Sequence, residues 1–445
     1  MRLLISVSGV RGIVGETLSP TLVTEFAQSF ATLVGQNPRI VLGRDTRPSG
    51  EMYAAAAEAG LLAAGAWVTR LGVAMTPTVG YAIREGAYDG GLIVTASHNP
   101  APWNGIKFLD GSGLAPDPQT AGKLAALRAA RGWRRATRGF QPVNSDSDAG
   151  TRHAKAVIDA VEADLSPLRG LKVVLDSING AGAVVSRGFL RRLGCDVTHV
   201  NGQPNGEFAH APEPVAENLG ELCSAVRASG AAVGFAQDPD ADRLAIVDEQ
   251  GRYIGEEYTL ALAAWATLLR RKGPLAANLS TSRLVDAVAR RFGAAVHRTP
   301  VGEANVARAV TSHGCVLGGE GNGGVIDPRF SLVRDSLAAM SLVLQLMAQT
   351  GRTVGQLVAE LPAYVMIKHK AECPRERIDA AVTAVAAAFA ERSPDRSDGV
   401  RVDFDEGWVH LRASNTEPIV RLIAEAETAA EAEALVERVR AAAGL

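Results

Sequence analysis

Short apolar runs alternate with longer segments rich in alanine and leucine along most of this chain. The apolar runs are nearly continuous, which is typical of strands covered on both faces of a sheet. Strands that alternate with helices favour α/β layers with largely parallel sheets. The pattern predicts strands at 39–43, 66–71, 171–176, 195–200 and 275–279, and helices at 51–64, 181–193, 256–271 and 282–292.

The same pattern divides the chain into four units. Three strand-and-helix units precede a smaller C-terminal α+β domain, and a polar, turn-rich stretch at 139–152 is a candidate linker. The last unit predicts strands near 364–371, 400–411 and 418–425, and helices at 375–391 and 427–443. We therefore expect an α/β fold with mixed, largely parallel sheets and with domains at 1–150, 151–250, 251–365 and 366–445.

Composition and charge narrow the possible partners. The 445 residues have a formal net charge of −2, so no global field would recruit nucleic acid or an anionic membrane. A run at 118–145 contains six Lys or Arg and no acid, but its aromatic residues are sparse, which favours a solvated helix face over nucleic-acid binding. We expect neither nucleic acid nor a membrane as a partner.

The chain also lacks the usual signals of export. It has no run of 18 apolar residues, and its first residues, MRLLISVSGVRG, do not have the form of a signal peptide. The four cysteines are spread singly without CxxC spacing, which is typical of reduced thiols. These features predict a cytoplasmic protein.

The stretch TASHNP (95–100) places a hydroxyl beside an imidazole directly after an apolar run. Ser97 is a candidate nucleophile, and His98 could position or accept its proton. Lys107 follows ten residues later, beyond Asn104 and Gly105, where a turn could bring it back. The alternative is a tight turn held by local side-chain hydrogen bonds.

The stretch DPDADR (238–243) carries three carboxylates at alternate positions, Asp238, Asp240 and Asp242. On an extended segment these side chains would point to one side. Three carboxylates so close together call for a cation, and an all-oxygen ligand set suits Mg²⁺. The alternatives are a solvated acidic turn and a calcium loop, but the glycine and the distal glutamate of an EF-hand are missing.

The stretch GGEGNGG (318–324) is rich in glycine and contains the spacing GxGxxG. A dinucleotide fingerprint must open a helix, and Pro328 stops a helix soon afterwards. The glycines would instead let Glu320 and Asn322 approach a ligand, and carboxylate and amide groups are good partners for sugar hydroxyls. The alternative is a glycine-rich hairpin without a ligand.

The stretch RASNTEP (412–418) lies between two predicted strands of the last domain. A guanidinium, two hydroxyls, an amide and loop N–H groups within five residues can form a phosphate cradle, and a further arginine follows on the next strand. The alternative is a polar hairpin. The candidate phosphate-binding residues are Arg412, Ser414, Asn415, Thr416 and Arg421.

Taken together, these stretches resemble the motifs of the α-D-phosphohexomutase family, which includes phosphoglucomutase, phosphomannomutase and phosphoglucosamine mutase. The resemblance covers essentially the whole chain in the expected order, and it implies three similar α/β/α domains and a smaller C-terminal domain around a central cleft. It also rests on SGVRG (8–12), GRDTRPSG (43–50), NGIK (104–107), and the weaker NGEFAHAPEPVAENL (205–219) and TPVGEANV (299–306).

The resemblance implies an isomerase that interconverts hexose 6-phosphate and hexose 1-phosphate. A phosphoserine at Ser97 would give its phosphoryl group to the sugar, and the hexose 1,6-bisphosphate intermediate would reorient and return the other phosphate. Mg²⁺ would be held by the Ser97 phosphate together with Asp238, Asp240 and Asp242.

The resemblance also implies roles for the remaining residues. Arg11 and Arg243 would neutralise phosphate charge, and Lys107 would be the general base, its pKa lowered by neighbouring cations, with His98 in support. Glu320 and Asn322 would hold sugar hydroxyls, and the phosphate that is not reacting would be held by Arg412, Ser414, Asn415 and Thr416.

Some positions depart from the family pattern and affect the expected sugar. Asn322 stands where many members have Ser, and Gly324 where several have His. The GEGNGG form is similar to that of archaeal-type phosphoglucosamine mutases, so glucosamine 6-phosphate is the expected substrate. The alternatives are a phosphomannomutase or phosphoglucomutase, a phosphosugar phosphatase, and a non-catalytic phosphosugar-binding protein.

Overall fold

The structure is a computed structural model that describes residues 3–7, 9–413 and 419–445. The first sheet has seven strands. Its strands are β1 (Leu4–Ser6), β2 (Gly9–Ile13), β3 (Arg39–Arg44), β4 (Trp67–Val73), β5 (Gly90–Val94), β6 (Trp103–Asp110) and β7 (Asn144–Ser145), in the order β1-β2-β6-β5-β3-β4-β7. Strands β5, β3, β4 and β7 run parallel, whereas β6, β2 and β1 add antiparallel strands beyond β5. The helices are α1 (Pro20–Val34), α2 (Gly50–Ala63), α3 (Thr76–Glu85) and α4 (Pro118–Ala129).

The second sheet has four strands, β8 (Lys172–Asp176), β9 (Asp196–Val200), β10 (Val233–Gln237) and β11 (Leu244–Val247), in the order β11-β10-β8-β9. Only β11 is antiparallel. The helices are α5 (Ala149–Asp159), α6 (Ser186–Arg192) and α7 (Gly220–Ser229).

The third sheet repeats this arrangement with β12 (Leu275–Asn278), β13 (Val296–Thr299), β14 (Leu317–Glu320) and β15 (Gly324–Ile326), in the order β13-β12-β14-β15. Only β15 is antiparallel. The helices are α8 (Glu256–Leu268), α9 (Leu284–Arg291), α10 (Glu303–Ser312), α11 (Ser336–Thr350) and α12 (Val354–Ala359).

The fourth sheet is wholly antiparallel and packs on two helices, α13 (Arg375–Ala388) and α14 (Ala429–Ala443). Helix α14 begins with a capping box in which Thr428 and Glu431 satisfy each other's backbone N–H groups. The strands, in the order β16-β19-β18-β17, are β16 (Val365–Glu372), β17 (Val400–Asp403), β18 (Gly407–Ala413) and β19 (Ile419–Ala426).

Three local expectations from the sequence were wrong. Residues 139–152 are not only a linker, because Val143 packs on the first core and lets β7 join the sheet, and α5 begins at Ala149. Residues 181–184 form a 3₁₀ turn instead of the start of the helix, because Val185, with φ −121°, leaves the helical region and separates the turn from α6. The stretch 400–411 holds two strands, because the chain turns at Phe404, whose N–H donates to Gly407.

The expected fold class is confirmed: three α/β/α units with mixed sheets precede a smaller α+β unit. The second and third units share one hydrophobic cluster, to which α8 and α11 contribute residues on nearly every face. The fourth unit has a core of its own. None of the described helices has the length and apolar character needed to cross a bilayer.

One connection recurs in the first three units and positions the chemistry. In each unit a parallel strand passes directly into an antiparallel neighbour: β5 into β6, β10 into β11, and β14 into β15. The short connections carry TASHNP, DPDADR and the glycine-rich stretch respectively. Because each lies at the carboxyl end of a parallel strand, where open α/β sheets bind ligands, the fold brings all three to one cleft.

Candidate active site

Ser97 lies in the connection between β5 and β6, and its side chain is buried. Its backbone has φ +49°, a left-handed conformation that is uncommon for a residue with a side chain. The hydroxyl donates to Asp238 Oδ2 at 3.0 Å, across 141 residues of sequence, and lies 3.3 Å from His98 Nδ1. The hydroxyl and the acidic stretch singled out in the sequence therefore meet at one point.

Arg47 holds this connection in place. Its guanidinium Nη atoms donate to four backbone carbonyls, three in the connection and one at the start of β6, at distances of 2.6 to 2.9 Å, and its Nε–H donates to Asp45 at 3.2 Å. All five guanidinium N–H groups of this buried side chain are thereby satisfied. Arg47 belongs to the motif GRDTRPSG, but an arginine in this motif did not by itself predict a contact with the Ser97 loop. The carbonyls belong to Ser97, Asn99, Pro100 and Trp103.

The acidic stretch is a tight turn, so the expectation of an extended segment was wrong. Asp238 Oδ1 accepts the N–H groups of Asp242 and Arg243 at 3.0 and 3.1 Å, and this closes the turn. Ala241 has φ +54° at its tip. The three carboxylates converge through this turn and not through the alternation of side chains along a strand.

The three aspartates can hold a metal ion. One carboxylate oxygen of each lies within 4.8 Å of the others, all three side chains are buried, and Oδ1 of both Asp240 and Asp242 has no hydrogen-bond donor. Burial, followed by the charges of Asp242 and Asp240, raises the pKa of Asp238 well above its ordinary value. Buried carboxylate oxygen atoms without donors, in an all-oxygen set, fit a hard divalent cation.

Lys107 lies on β6 and contacts the same cluster. Its Nζ donates to Asp240 at 2.6 Å and to Asp242 at 2.9 Å. Burial acts to lower the pKa of Lys107, but these two carboxylates outweigh it and raise that pKa above its ordinary value. The expected lowering by neighbouring cations was wrong, because the nearest charges are negative. Asn104 and Gly105 lie within β6, so the turn that returns the chain precedes them.

The side chains of His98, Arg11 and Arg243 line the cleft beside Lys107. Burial, together with the positive charges of Arg243 and Arg11, lowers the pKa of His98 to about 2. The imidazole is therefore neutral, and Nδ1 can accept a proton from the adjacent hydroxyl. Arg11 Nη1 donates to Asn99 Oδ1 at 3.0 Å, which connects β2 to the Ser97 loop.

The glycine-rich stretch forms the hairpin between β14 and β15 and opens no helix. Glu320 is buried and accepts hydrogen bonds from Asn278 at 2.9 Å and Arg334 at 2.7 Å. Asn322 faces the cleft, and its Oδ1 is buried without a donor. Gly323 has φ +82°, and a Cβ there would lie 2.5 Å from the Leu244 carbonyl oxygen, so the tip requires glycine.

Two adjoining cavities, of about 430 and 230 Å³, make up the cleft. Lys107, His98 and Arg243 line the larger one, Asn322 and Arg412 line the smaller one, and Glu320 and Arg421 line both. Arg412 also pairs with Asp398 at 3.2 Å. Ser414, Asn415 and Thr416 lie outside the described residues. Two further residues of the larger cavity, Glu303 and Arg334, were not identified from the sequence.

Family models match the chain along nearly its whole length. The phosphoglucomutase/phosphomannomutase alpha/beta/alpha domains I, II and III match residues 2–133, 151–251 and 255–364, and the C-terminal domain of the same family matches residues 369–442. The fold and these matches define a mutase, an enzyme of the isomerase class. The chain belongs to the phosphoglucomutase/phosphomannomutase family.

Curated relatives and solved structures agree with this assignment. A phosphoglucomutase/phosphomannomutase of Thermococcus kodakarensis is 39% identical over 438 residues, 96% of each chain. A probable phosphoglucosamine mutase of Methanopyrus kandleri is 37% identical and covers 95% of this chain and 93% of its own. The crystal structure of a phosphoglucomutase/phosphomannomutase family protein from Burkholderia thailandensis is similar with a TM-score of 0.87, at 26% identity, over 99% of this chain and 98% of its own.

Proposed function

We propose that this enzyme interconverts glucosamine 6-phosphate and glucosamine 1-phosphate through a phosphoserine at Ser97. One observation carries the proposal: the buried Ser97 hydroxyl lies 3.0 Å from a carboxylate of the acidic triad and 3.3 Å from His98, which lines the same cavity as Glu320. A phosphoryl group on this oxygen would face both a cation site and a site for sugar hydroxyls. We also propose that the domains have the boundaries expected from the sequence, namely 1–150, 151–250, 251–365 and 366–445.

The triad would hold Mg²⁺ together with an oxygen at Ser97. When bound, this ion supplies positive charge to the phosphoryl oxygens during transfer. The donor set supports it, since Asp240 and Asp242 each keep an oxygen without a donor in an all-carboxylate cluster. Arg11 and Arg243 line the same cavity and would add positive charge around the phosphate.

The transfer itself would proceed in two balanced steps. The bond between phosphorus and Ser97 Oγ breaks while a sugar hydroxyl oxygen bonds to phosphorus, and neutral His98 relays the hydroxyl proton to the departing Ser97 Oγ. The raised pKa of Lys107 keeps its amine charged, so Lys107 would offset phosphate charge beside the triad instead of acting as the base. The resulting glucosamine 1,6-bisphosphate reorients, and its other phosphoryl group returns to Ser97. Glu320 and Asn322 would hold the sugar hydroxyls, and the distal phosphate would be held by Arg412, Ser414, Asn415, Thr416 and Arg421.

The choice of glucosamine rests on two supports. The hairpin sequence GEGNGG is similar to that of archaeal-type phosphoglucosamine mutases, and the Methanopyrus relative is named a probable phosphoglucosamine mutase. The second candidate is a phosphoglucomutase/phosphomannomutase, favoured by the name of the Thermococcus relative at 39% identity. A cytoplasmic location is part of the proposal and is supported by four cysteines that remain free thiols.

A substrate panel tests the sugar. Rates are measured with the phosphates of glucosamine, N-acetylglucosamine, glucose and mannose, each with Mg²⁺ and a trace of the bisphosphate. We expect the highest kcat/KM with glucosamine phosphate. Comparable values for all four sugars would overturn the glucosamine assignment, and a preference for glucose or mannose would establish the second candidate. Release of inorganic phosphate without isomerisation would instead indicate a phosphatase.

A serine variant tests the phosphoenzyme. Ser97→Ala should abolish turnover and the addition of one phosphoryl group seen by intact-mass analysis, while the thermal unfolding midpoint stays close to that of the wild type. Ser186→Ala removes another buried hydroxyl, one without a hydrogen-bond partner, and serves as the control. An active Ser97→Ala variant would refute the role of Ser97. A wild-type enzyme that binds the sugar phosphate but never carries a phosphoryl group would indicate a binding protein.

A further inference from the structure

Arg334 connects the acidic triad to the sugar-facing carboxylate. Its side chain is 9% exposed, Nη2 donates to Asp242 Oδ2 at 2.8 Å, and Nη1 donates to Glu320 Oε2 at 2.7 Å. One rigid guanidinium therefore joins the turn after β10 to the hairpin after β14, which belong to different sheets. Among the described residues, no other side chain hydrogen-bonds to both of these carboxylates.

The fold holds the backbone of Arg334 in place. Its N–H donates to Glu303 Oε1 at 2.6 Å, and the N–H of the next residue, Asp335, donates to the Val325 carbonyl at 2.7 Å. Asp335 is also the N-cap of α11, where its side chain accepts the Leu337 N–H. With its backbone anchored to two elements, the side chain has little freedom to leave the cleft.

Gly324 provides the space through which Arg334 passes. A Cβ added at Gly324 would lie 2.0 Å from Arg334 Cδ and 2.8 Å from Cγ, well inside any permitted contact. The backbone of Gly324 needs no left-handed conformation, so space alone requires glycine here. Gly324 and Arg334 are therefore a matched pair, since a side chain at position 324 excludes the observed course of the arginine.

Arg334 leaves both carboxylates with oxygens ready for a ligand. At Asp242 it contacts Oδ2, so that Oδ1 stays free of donors. At Glu320 it holds Oε2 while Asn278 holds Oε1, and this fixes the plane of the carboxylate beside the cleft. Each Glu320 oxygen retains a second lone pair for a sugar hydroxyl.

We propose that Arg334 is a positioning residue that orients Asp242 toward the metal ion and Glu320 toward the sugar, with Gly324 as its required partner. The part of this inference that concerns the sugar rests on the proposed function. The part that concerns the metal ion depends only on the acidic triad. Loss of Arg334 weakens both sites together, although they lie on separate loops.

Binding measurements on the dephosphorylated enzyme test the inference without turnover. Isothermal titration calorimetry measures the Kd of Mn²⁺ alone and of glucosamine 6-phosphate alone for the wild type and for Arg334→Lys. The lysine reaches one carboxylate but cannot fork between two. We expect both Kd values to rise roughly 10- to 100-fold, the range typical of lost positioning partners. Arg329→Lys, which alters an arginine paired with Asp327, is the matched control and should change neither Kd.

A double-mutant comparison tests the pairing with Gly324. Gly324→Ala should weaken sugar-phosphate binding strongly in the wild-type background but much less in the Arg334→Ala background, where the new Cβ meets only Asn322 Oδ1, at 3.0 Å. Equal losses in both backgrounds would overturn the pairing. If Arg334→Ala does not fold, the Kd values of Arg334→Lys, compared with those of Arg329→Lys, still test the positioning role.

The outcomes separate the inference from the proposed function. If the wild type binds Mn²⁺ but no hexose phosphate, the proposed function fails. The Kd of Mn²⁺ for Arg334→Lys then still tests whether Arg334 orients Asp242. If the wild type binds both ligands and Arg334→Lys binds them equally well, the inference fails alone. A variant with a lowered unfolding temperature but unchanged Kd values would show a purely structural role and would also overturn it.

Discussion

Arg47 shows how one side chain can define a reactive loop. Its guanidinium donates to three carbonyls of the Ser97 connection and to one at the start of β6, and a lysine could satisfy only part of this set. We expect Arg47→Lys to lower the free energy of unfolding by about 2–4 kcal/mol, since buried carbonyls lose their donors. The displaced hydroxyl should lower kcat by about 100-fold. Urea unfolding and steady-state kinetics measure the two effects.

Arg44 offers a control within the same motif. Its side chain pairs with the exposed Glu51 at 3.0 Å. An exposed ion pair contributes little, so Arg44→Lys should change the free energy of unfolding by less than about 1 kcal/mol and leave kcat unchanged. If Arg47→Lys behaved as Arg44→Lys does, the anchoring role of Arg47 would be wrong.

His410 predicts a dependence of stability on pH. The ring is buried between Ser280 Oγ, 2.8 Å from Nδ1, and the Asp398 carbonyl, 2.6 Å from Nε2. Burial lowers the pKa of His410 from 6.5 to about 4, although the Asp398 carbonyl partly opposes this. Between these values the unfolded chain binds the proton and the folded chain does not, so stability falls as the pH falls from 6.5 to 4.

The size of this loss can be measured directly. A pKa lowered from 6.5 to about 4 corresponds to at most about 3 kcal/mol. Urea unfolding at pH 7 and at pH 4.5 should give a smaller difference for His410→Gln than for the wild type. His369→Gln, on an exposed side chain of the same sheet, is the control and should keep the wild-type difference. Equal differences for all three proteins would contradict the prediction.

At the scale of elements, two glycines within helices have opposite consequences. A Cβ at Gly60, in α2, would lie 2.4 Å from the Thr24 carbonyl of α1, so the glycine allows the two helices to pack closely. A Cβ at Gly188, in α6, would meet nothing within 4 Å. We expect Gly60→Ala to destabilise the protein by about 1–3 kcal/mol and Gly188→Ala to stabilise it by up to about 1 kcal/mol. Thermal or urea unfolding of both variants tests the signs, and a stabilising Gly60→Ala would contradict the packing argument.

The recurring connection between a parallel and an antiparallel strand is the other element-scale feature. The sequence predicted many of the strands, because apolar runs mark buried strands regardless of their partners. It did not predict the turn that gathers Asp238, Asp240 and Asp242, because that turn depends on backbone donors to Asp238 and on Ala241 in a left-handed conformation. Local sequence patterns identify candidate site residues, but they do not predict how the fold brings those residues together.

At the scale of the whole molecule, the C-terminal unit should move against the other three. It has its own core, while Arg412 and Arg421 face a cleft whose other walls come from the first three units. Because both phosphates of the proposed bisphosphate intermediate must be enclosed together, we expect this unit to close when the ligand binds. Small-angle X-ray scattering should give a smaller radius of gyration with glucosamine 1,6-bisphosphate than without it.

Variants show which contact drives this closure. Arg421→Gln should reduce the change in radius, because the guanidinium at the junction of both cavities is lost. Arg392→Lys changes an arginine on the outer side of the same unit, paired with the exposed Asp405, and should leave the change intact. An identical radius for the wild type with and without the ligand would contradict closure.

The sequence alone was enough to predict the class of fold, and it proposed the chemical groups of the candidate site. Periodicity, turn residues and short motifs are local properties, and they identified Ser97, the three aspartates and the glycine-rich hairpin. Only the tertiary structure decided the charge environment of Lys107, the anchoring by Arg47 and the bridge from Arg334 to Glu320. Each depends on side chains from different strands or units meeting in a buried place, and a buried charge takes its properties from the neighbours that surround it.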